Sequence, residues 1–182
     1  MTHDELIEVG RKWLLKPWRN AASEGHSACS LVITDMTTYA WETPDVLGWN
    51  SDRSILIECK ASRSDFKADA KKGVRMNPAQ GVGTQRYYMV PKGLLKLEEV
   101  PEGWGLVEVN EAGRTRVRRA SKTFVANRQG EVIMLLSLIR RLDVKPGKHM
   151  AIRVYTTQSK GEPRASVTFN SEEEESTKWK TK

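Results

Sequence analysis

The sequence predicts a mixed α/β domain with one central sheet flanked by helices. Three observations predict it. Short runs of β-branched and aromatic residues recur between turn residues. A helical pattern precedes them, and another interrupts them at 62–72. A long apolar segment follows at 131–142.

In order, residues 4–16 read as a helix, because Leu6, Val9, Trp13 and Leu14 recur at helical spacing and Pro17 stops the run. Residues 20–30 are small and polar, the composition of a loop. Leu31 to Met36 has strand composition, and after Pro44 the stretch Asp45 to Trp49 reads as a second strand. Asn50-Ser-Asp-Arg53 is a turn. Ser54 to Lys60 is the clearest strand of the chain. Ser62 to Lys72 reads as a helix opened by the capping pattern Ser62-x-x-Asp65. Residues 73–84, with three glycines and Pro78, read as a loop. Arg86 to Val90 is a strand closed by Pro91. Trp104 to Val109 and Thr115 to Arg118 form a hairpin that turns at Gly113. Glu131 to Leu142 is apolar almost all round, which predicts a buried helix. Ala151 to Thr157 reads as a last strand. The tail from 158 carries the acidic run Glu172 to Glu175 and reads as disordered. The expected division is a domain over 1–143 and a C-terminal extension over 144–182.

Composition narrows the class of protein. The 182 residues suit one domain with a tail. Two cysteines exclude a disulfide scaffold, and three scattered histidines leave His26-x-x-Cys29 as half a zinc site. The acidic start MTHDEL lacks the apolar region of a signal peptide, and no apolar run approaches a membrane span. The expected setting is cytoplasmic, or a host cytoplasm if the chain is phage-encoded, with no membrane partner. A net charge of +7 favours a polyanionic partner.

Chemistry concentrates at Asp45, Glu58 and Lys60. Side chains alternate along a strand, so Ile55, Ile57 and Cys59 share one face and Leu56, Glu58 and Lys60 the other. A two-residue loop at Ser51-Asp52 places Trp49 opposite Ser54, Leu47 opposite Leu56 and Asp45 opposite Glu58. Opposed residues have Cβ atoms roughly 4.5–5.5 Å apart, and two carboxylates at that separation repel unless something cationic sits between them. A register slip of one residue would send Asp45 to the other face. Paired carboxylates suit Mg²⁺ or Mn²⁺, which takes one or two of them and completes its shell with water and phosphate oxygens. Lys60 would then orient a hydroxide or neutralise charge in the transition state. The plainer alternative is a surface Glu58–Lys60 pair beside a turn aspartate.

These residues resemble a known family. Asp45 followed by Glu58-x-Lys60 at the end of an apolar strand matches the signature of the PD-(D/E)XK nuclease superfamily. Pro44-Asp45-Val46, then Ile57-Glu58-Cys59-Lys60-Ala61-Ser62-Arg63-Ser64-Asp65-Phe66-Lys67-Ala68-Asp69-Ala70-Lys71, resembles the MmcB-like DNA repair nucleases within it. The similarity extends to Arg86 to Pro91, to Gly105-Leu106-Val107 and to the basic segment Arg116 to Ala120, over residues 5–142 in all. The resemblance implies a restriction-endonuclease-like core and a Mg²⁺- or Mn²⁺-dependent deoxyribonuclease. It implies DNA repair, or phage or mobile-element DNA processing. It carries over Asp45 and Glu58 as metal ligands and Lys60 as the catalytic lysine. A further acid from the first helix is implied, with Glu5 favoured slightly over Glu8. Superfamily members often dimerise, so a homodimer is an expected assembly. The alternative is a catalytically inactive nuclease-fold module that binds nucleic acid.

The basic residues fit DNA. Ser62 and Arg63 open a helix, whose N-terminus suits phosphate. Lys67, Lys71 and Lys72 lie on or near one face of it, and Arg114, Arg116 and Arg118 project to one side of a strand. The plain reading of the serines is a helix cap, and that of the arginines a solvated sheet edge. Trp13, Trp49 and Trp104 are expected in or near the core, with Trp18 and Trp41 in loops, and Cys59 as a small core residue.

Overall fold

The computed structural model describes residues 1–19, 25–26, 28–38, 42–141, 153–154 and 165–166. It divides into two units, Met1–Leu135 and Leu136–Lys182.

The first unit is the mixed α/β architecture that the sequence predicts. Helix α1 spans His3–Leu14. Thr2 caps it by accepting from the Glu5 amide, and Glu5 returns the bond by accepting from the Thr2 amide. Two short strands, β1 (Trp18–Arg19) and β2 (Gly25–His26), pair with each other. Six more make the central sheet, in sequence order: β3 (Leu31–Thr34), β4 (Val46–Trp49), β5 (Ser54–Cys59), β6 (Gln85–Pro91), β7 (Gly105–Val109) and β8 (Thr115–Arg119). The pairs β3–β4, β4–β5 and β7–β8 are antiparallel, and β5–β6 and β6–β7 are parallel.

Parallel neighbours need long crossovers. The first carries helix α2 (Arg63–Asp69), the short helix α3 (Gly73–Met76) and a 3₁₀ turn at Pro78–Gln80. The expected loop over 73–84 therefore holds two short helical turns. The second crossover holds a 3₁₀ turn at Leu97–Glu99.

The register of the β4–β5 hairpin is the one the two-residue loop predicts. Trp49 pairs with Ser54, Leu47 with Leu56 and Val46 with Ile57. Asn50 holds the turn, its side-chain oxygen accepting from the Asp52 and Arg53 amides. Every residue of β5 is buried. Ile55, Ile57 and Cys59 join a core with Leu6, Ile7, Trp13 and Leu14 of α1. On the other face Tyr88 packs against Phe66 and stacks on Trp104, with ring centroids 5.0 and 4.6 Å apart. Trp13 and Trp104 are buried and Trp49 half-buried; Trp41 and the side chain of Trp18 lie outside the described residues.

Two glycines mark close approaches. At Gly83, where φ is +82°, a Cβ would meet Leu56 Cβ at 2.8 Å. At Gly105 it would meet the Tyr87 ring at 2.2 Å and the Ser121 amide nitrogen at 2.9 Å. Gly105→Ala is expected to cost about 1–3 kcal/mol, because neither the ring nor the backbone has room to give. Urea unfolding checks this, and an unchanged midpoint would show that the Tyr87 ring relaxes freely.

Helix α4 (Arg128–Arg141) corrects one expectation. It begins three residues early, and it is not buried all round: Gly130, Glu131 and Met134 are buried, whereas Val132, Leu136 and Ile139 are exposed. The reason is a polar anchor. Glu131 accepts from the Ser54 hydroxyl at 2.6 Å and the Gly83 amide at 2.9 Å, and Arg128 binds its other oxygen. Buried donors need acceptors, so the glutamate faces the sheet and the aliphatic residues beside it turn outward.

In the second unit Arg153–Val154 (β9) pairs with Ala165–Ser166 (β10). β9 falls within the strand expected over 151–157. β10 falls within the tail expected to be disordered from 158, and the rest of that tail lies outside the described residues.

Candidate functional site

Asp45 stands at the entry to β4, Glu58 near the end of β5, and Lys60 directly after β5. The hairpin pairing runs to Val46–Ile57, so Asp45 and Glu58 follow as the next residues along, and Asp45 Oδ2 accepts from the Cys59 amide at 2.7 Å. The Lys60 ammonium lies between the two carboxylates, 3.0 Å from Glu58 Oε2 and 3.6 Å from Asp45 Oδ2. The predicted convergence on one face is present, with the cation that the repulsion requires.

The surroundings are more crowded than the sequence suggests. Asp69, at the end of α2, lies 3.5 Å from Lys60 and accepts from the Tyr88 hydroxyl at 2.7 Å. Arg75 of α3 reaches three acids: Glu42, Asp69 (2.7 Å) and Glu58 (3.1 Å). Its guanidinium lies 4.7 Å over the Trp104 ring. Lys72 adds a third cation, 2.7 Å from Asp69 and 3.5 Å from Glu58. Four carboxylates thus face three cations. Glu58 is fully buried and the Lys60 side chain 4% exposed; Asp45 at 18% and Lys72 at 48% are where the cluster meets solvent.

Burial governs the acid–base state. It pushes the Glu58 carboxyl up to about 7, against the pull of Arg75 and Lys60 and with the repulsion of Asp45 and Asp69. Burial also acts on Asp69, but Arg75, Lys60 and Lys72 outweigh it and hold that carboxyl well below the usual range. Lys60 is held charged: burial disfavours the ammonium, and Glu58, Asp45 and Asp69 overcome it.

This has a measurable consequence. The folded state binds the Glu58 proton more tightly than the unfolded chain does. The group's stabilisation is therefore complete below the ordinary value of 4.5 and is lost as pH rises to about 7. Asp69 shifts the other way and loses its contribution only at lower pH. Urea midpoints should fall across the Glu58 window in the wild type and stay flat in Glu58→Gln. A slope that survives the substitution would mean another group titrates there.

The remaining predicted residues lie apart from this cluster or are otherwise engaged. Glu5 is spent on the α1 cap and Glu8 on Arg11 and Lys12. The first-helix residue that approaches Asp45 is His3, 3.6 Å from Oδ1. Ser62 caps α2 by accepting from the Asp65 amide, and its hydroxyl bonds Ser64. Arg63 binds Glu99 and the Leu94 carbonyl. Lys67 and Lys71 are exposed, as are Arg114, Arg116 and Arg118, though Arg118 pairs with Glu108 at 2.9 Å. Arg119 turns inward instead, bonding the carbonyls of Leu97, Val100, Pro101 and Trp104.

Sequence reasoning missed Asp69, Arg75, Glu42 and Tyr88 as members of the cluster, and it placed Lys72 with Lys67 and Lys71 on a basic helix face. Asp69 had a signal. It falls three residues after the buried Phe66 on α2, so it shares the apolar face of that helix. A carboxylate there needs a buried partner.

Asp45 and Glu58 suit a hard cation in kind. Glu58 Oε1 is buried and makes no hydrogen bond, Arg75 being near it but not aligned. Among the described residues no three His, Cys, Asp or Glu side chains are grouped to hold a metal. Mg²⁺ does not need three, since water and substrate oxygens complete its shell. Asp45 and Glu58 are the donors such an ion would take, and the Lys60 ammonium occupies the space between them in this structure.

The fold and site define an α/β domain whose sheet buries a carboxylate cluster held by lysine and arginine. No family model matches the chain, and no curated protein matches it. Its structure is similar to that of the SPO1766 protein of unknown function from Silicibacter pomeroyi, at 23% identity and a TM-score of 0.47, covering 62% of this chain and 77% of that one. Among the described residues no helix is long and apolar enough to cross a membrane.

Proposed function

We propose that the chain is a metal-dependent nuclease that hydrolyses DNA phosphodiester bonds. The observation that carries the reading is the approach of Asp45 and Glu58 from adjacent antiparallel strands to a single Lys60 ammonium. Mg²⁺ or Mn²⁺ held by those two acids would supply a water of lowered pKa and neutralise charge at phosphorus. Lys60, fixed by three carboxylates, offers a preorganised donor to a phosphate oxygen or to the attacking hydroxide. Exposed Lys67, Lys71, Arg114 and Arg116, with Arg63 and Arg118 exchanging their acidic partners for phosphate, supply the charge that a DNA backbone needs. A homodimer, a cytoplasmic setting and a role in repair or mobile-element processing belong to the same reading.

Plasmid and oligonucleotide cleavage tests it, with Mg²⁺ or Mn²⁺ against EDTA. Cleavage should require the ion and disappear in Asp45→Asn. Absence of turnover on every DNA form tried would overturn it.

A second reading, an inactive nuclease-fold module that binds nucleic acid, has one observation in its favour. Glu58 is sealed by three cations, within 3.5 Å of each. It expects salt-dependent DNA binding that neither Asp45→Asn nor metal alters.

A further inference from the structure

The crossover between α2 and β6 holds an apolar side chain out in solvent. Met76, the last residue of α3, is 75% exposed. Single apolar residues on a surface are ordinary, but the support of this one is not. The residue before it is anchored in the ion cluster, where the buried Arg75 side chain binds Glu42, Asp69 and Glu58. Val74 is buried as well. Backbone bonds close the turn: the Met76 amide donates to the Lys72 carbonyl at 3.3 Å, and the Asn77 amide to the Gly73 carbonyl at 2.9 Å. Met76 therefore stands on a fixed base, one helical turn from Lys72, whose ammonium meets solvent beside Glu58 and Asp69. Lys67 and Lys71 are exposed on the preceding stretch of chain.

Resting on the nuclease reading, we propose that Met76 is a wedge that enters a base step of duplex DNA beside the cluster, and that it gives the protein a preference for duplexes with a mispaired base. An apolar side chain pushed between bases partly unstacks them, and it needs a rigid backing and cations that hold the flanking phosphates. Val74 and Arg75 supply the backing, and Lys67 and Lys71 the cations. Unstacking costs least where pairing is already broken. Substrate choice then follows from the energy of opening the stack, without contacts to base edges.

Anisotropy of fluorescein-labelled duplexes in EDTA tests this, with one duplex fully paired and the other carrying a single mismatch. Wild type should bind the mismatched duplex about tenfold more tightly, and Met76→Ala should bind the two within about twofold of each other. Met76→Leu should keep the preference. 2-Aminopurine placed beside the mismatch should brighten when wild type or Met76→Leu binds and stay dim with Met76→Ala, a change that a merely structural role for Met76 would not give. The full wild-type preference in Met76→Ala overturns the inference, and so does equal binding of both duplexes by wild type. Mg²⁺-dependent plasmid cleavage, run alongside, separates the failures. If wild type cuts and Met76→Ala keeps the preference, the inference falls and the nuclease reading stands. If wild type neither cuts DNA nor binds either duplex, both fall.

Discussion

Arg75→Met is expected to destabilise the domain by about 3–5 kcal/mol, the range for removing one partner from a buried ion cluster. The methionine keeps much of the volume against Trp104 and deletes the charge. Glu42, Asp69 and Glu58 then face each other with Lys60 and Lys72 alone to balance them. Glu42 also accepts from the Val82 amide, so its carboxylate cannot simply turn away. The loss is large for a domain whose total stability is on the order of 5–15 kcal/mol. Urea unfolding measures it. Adding Glu58→Gln to Arg75→Met should recover part of the loss, because one stranded acid becomes neutral. A cost below about 1 kcal/mol, the level of a surface ion pair, would show that Arg75 is not the electrostatic centre of the cluster.

On the proposed nuclease reading, Lys60→Ala lowers metal-dependent DNA cleavage by about 100-fold or more, the scale for losing a preorganised donor at developing charge. The geometry explains the size. Three carboxylates fix the ammonium from three directions, and no other described cation lies near Asp45 and Glu58 together. The substitution also unbalances buried acids, so circular dichroism must show the variant folded at the assay temperature. Asp45→Asn leaves Lys60 in place and provides an independent loss. If folded Lys60→Ala cuts as fast as wild type, the assignment of Lys60 is wrong. If neither protein cuts while both bind DNA equally, the inactive-module reading replaces the enzyme.

The legible part of the site was the part set by local rules. Strand alternation put Glu58 and Lys60 on one face, and the two-residue loop set the phase of Asp45 against them. Both follow from the pleat and the turn, which depend on neighbours in sequence. Ser62 read correctly as a cap for the same reason. Asp69, Arg75 and Glu42 were not legible in this way. They come from the end of one helix, a four-residue helix and the segment before Pro44, and nothing local brings these together. Helix α4 failed differently. Its apolar residues run round the helix, so the pattern did not choose a face, and Glu131 chose it by satisfying Ser54 and Gly83.

By itself the sequence determined the class of fold, the hairpin register and the convergence of Asp45, Glu58 and Lys60, because periodicity and turn length act over a few residues. Only the tertiary structure decided that those residues sit inside a closed ion cluster, that His3 rather than Glu5 approaches Asp45, and that Lys72 is the cation at the solvent boundary. Buried charge must be balanced wherever the chain can bring a counter-charge, and such partners are set by packing between distant segments.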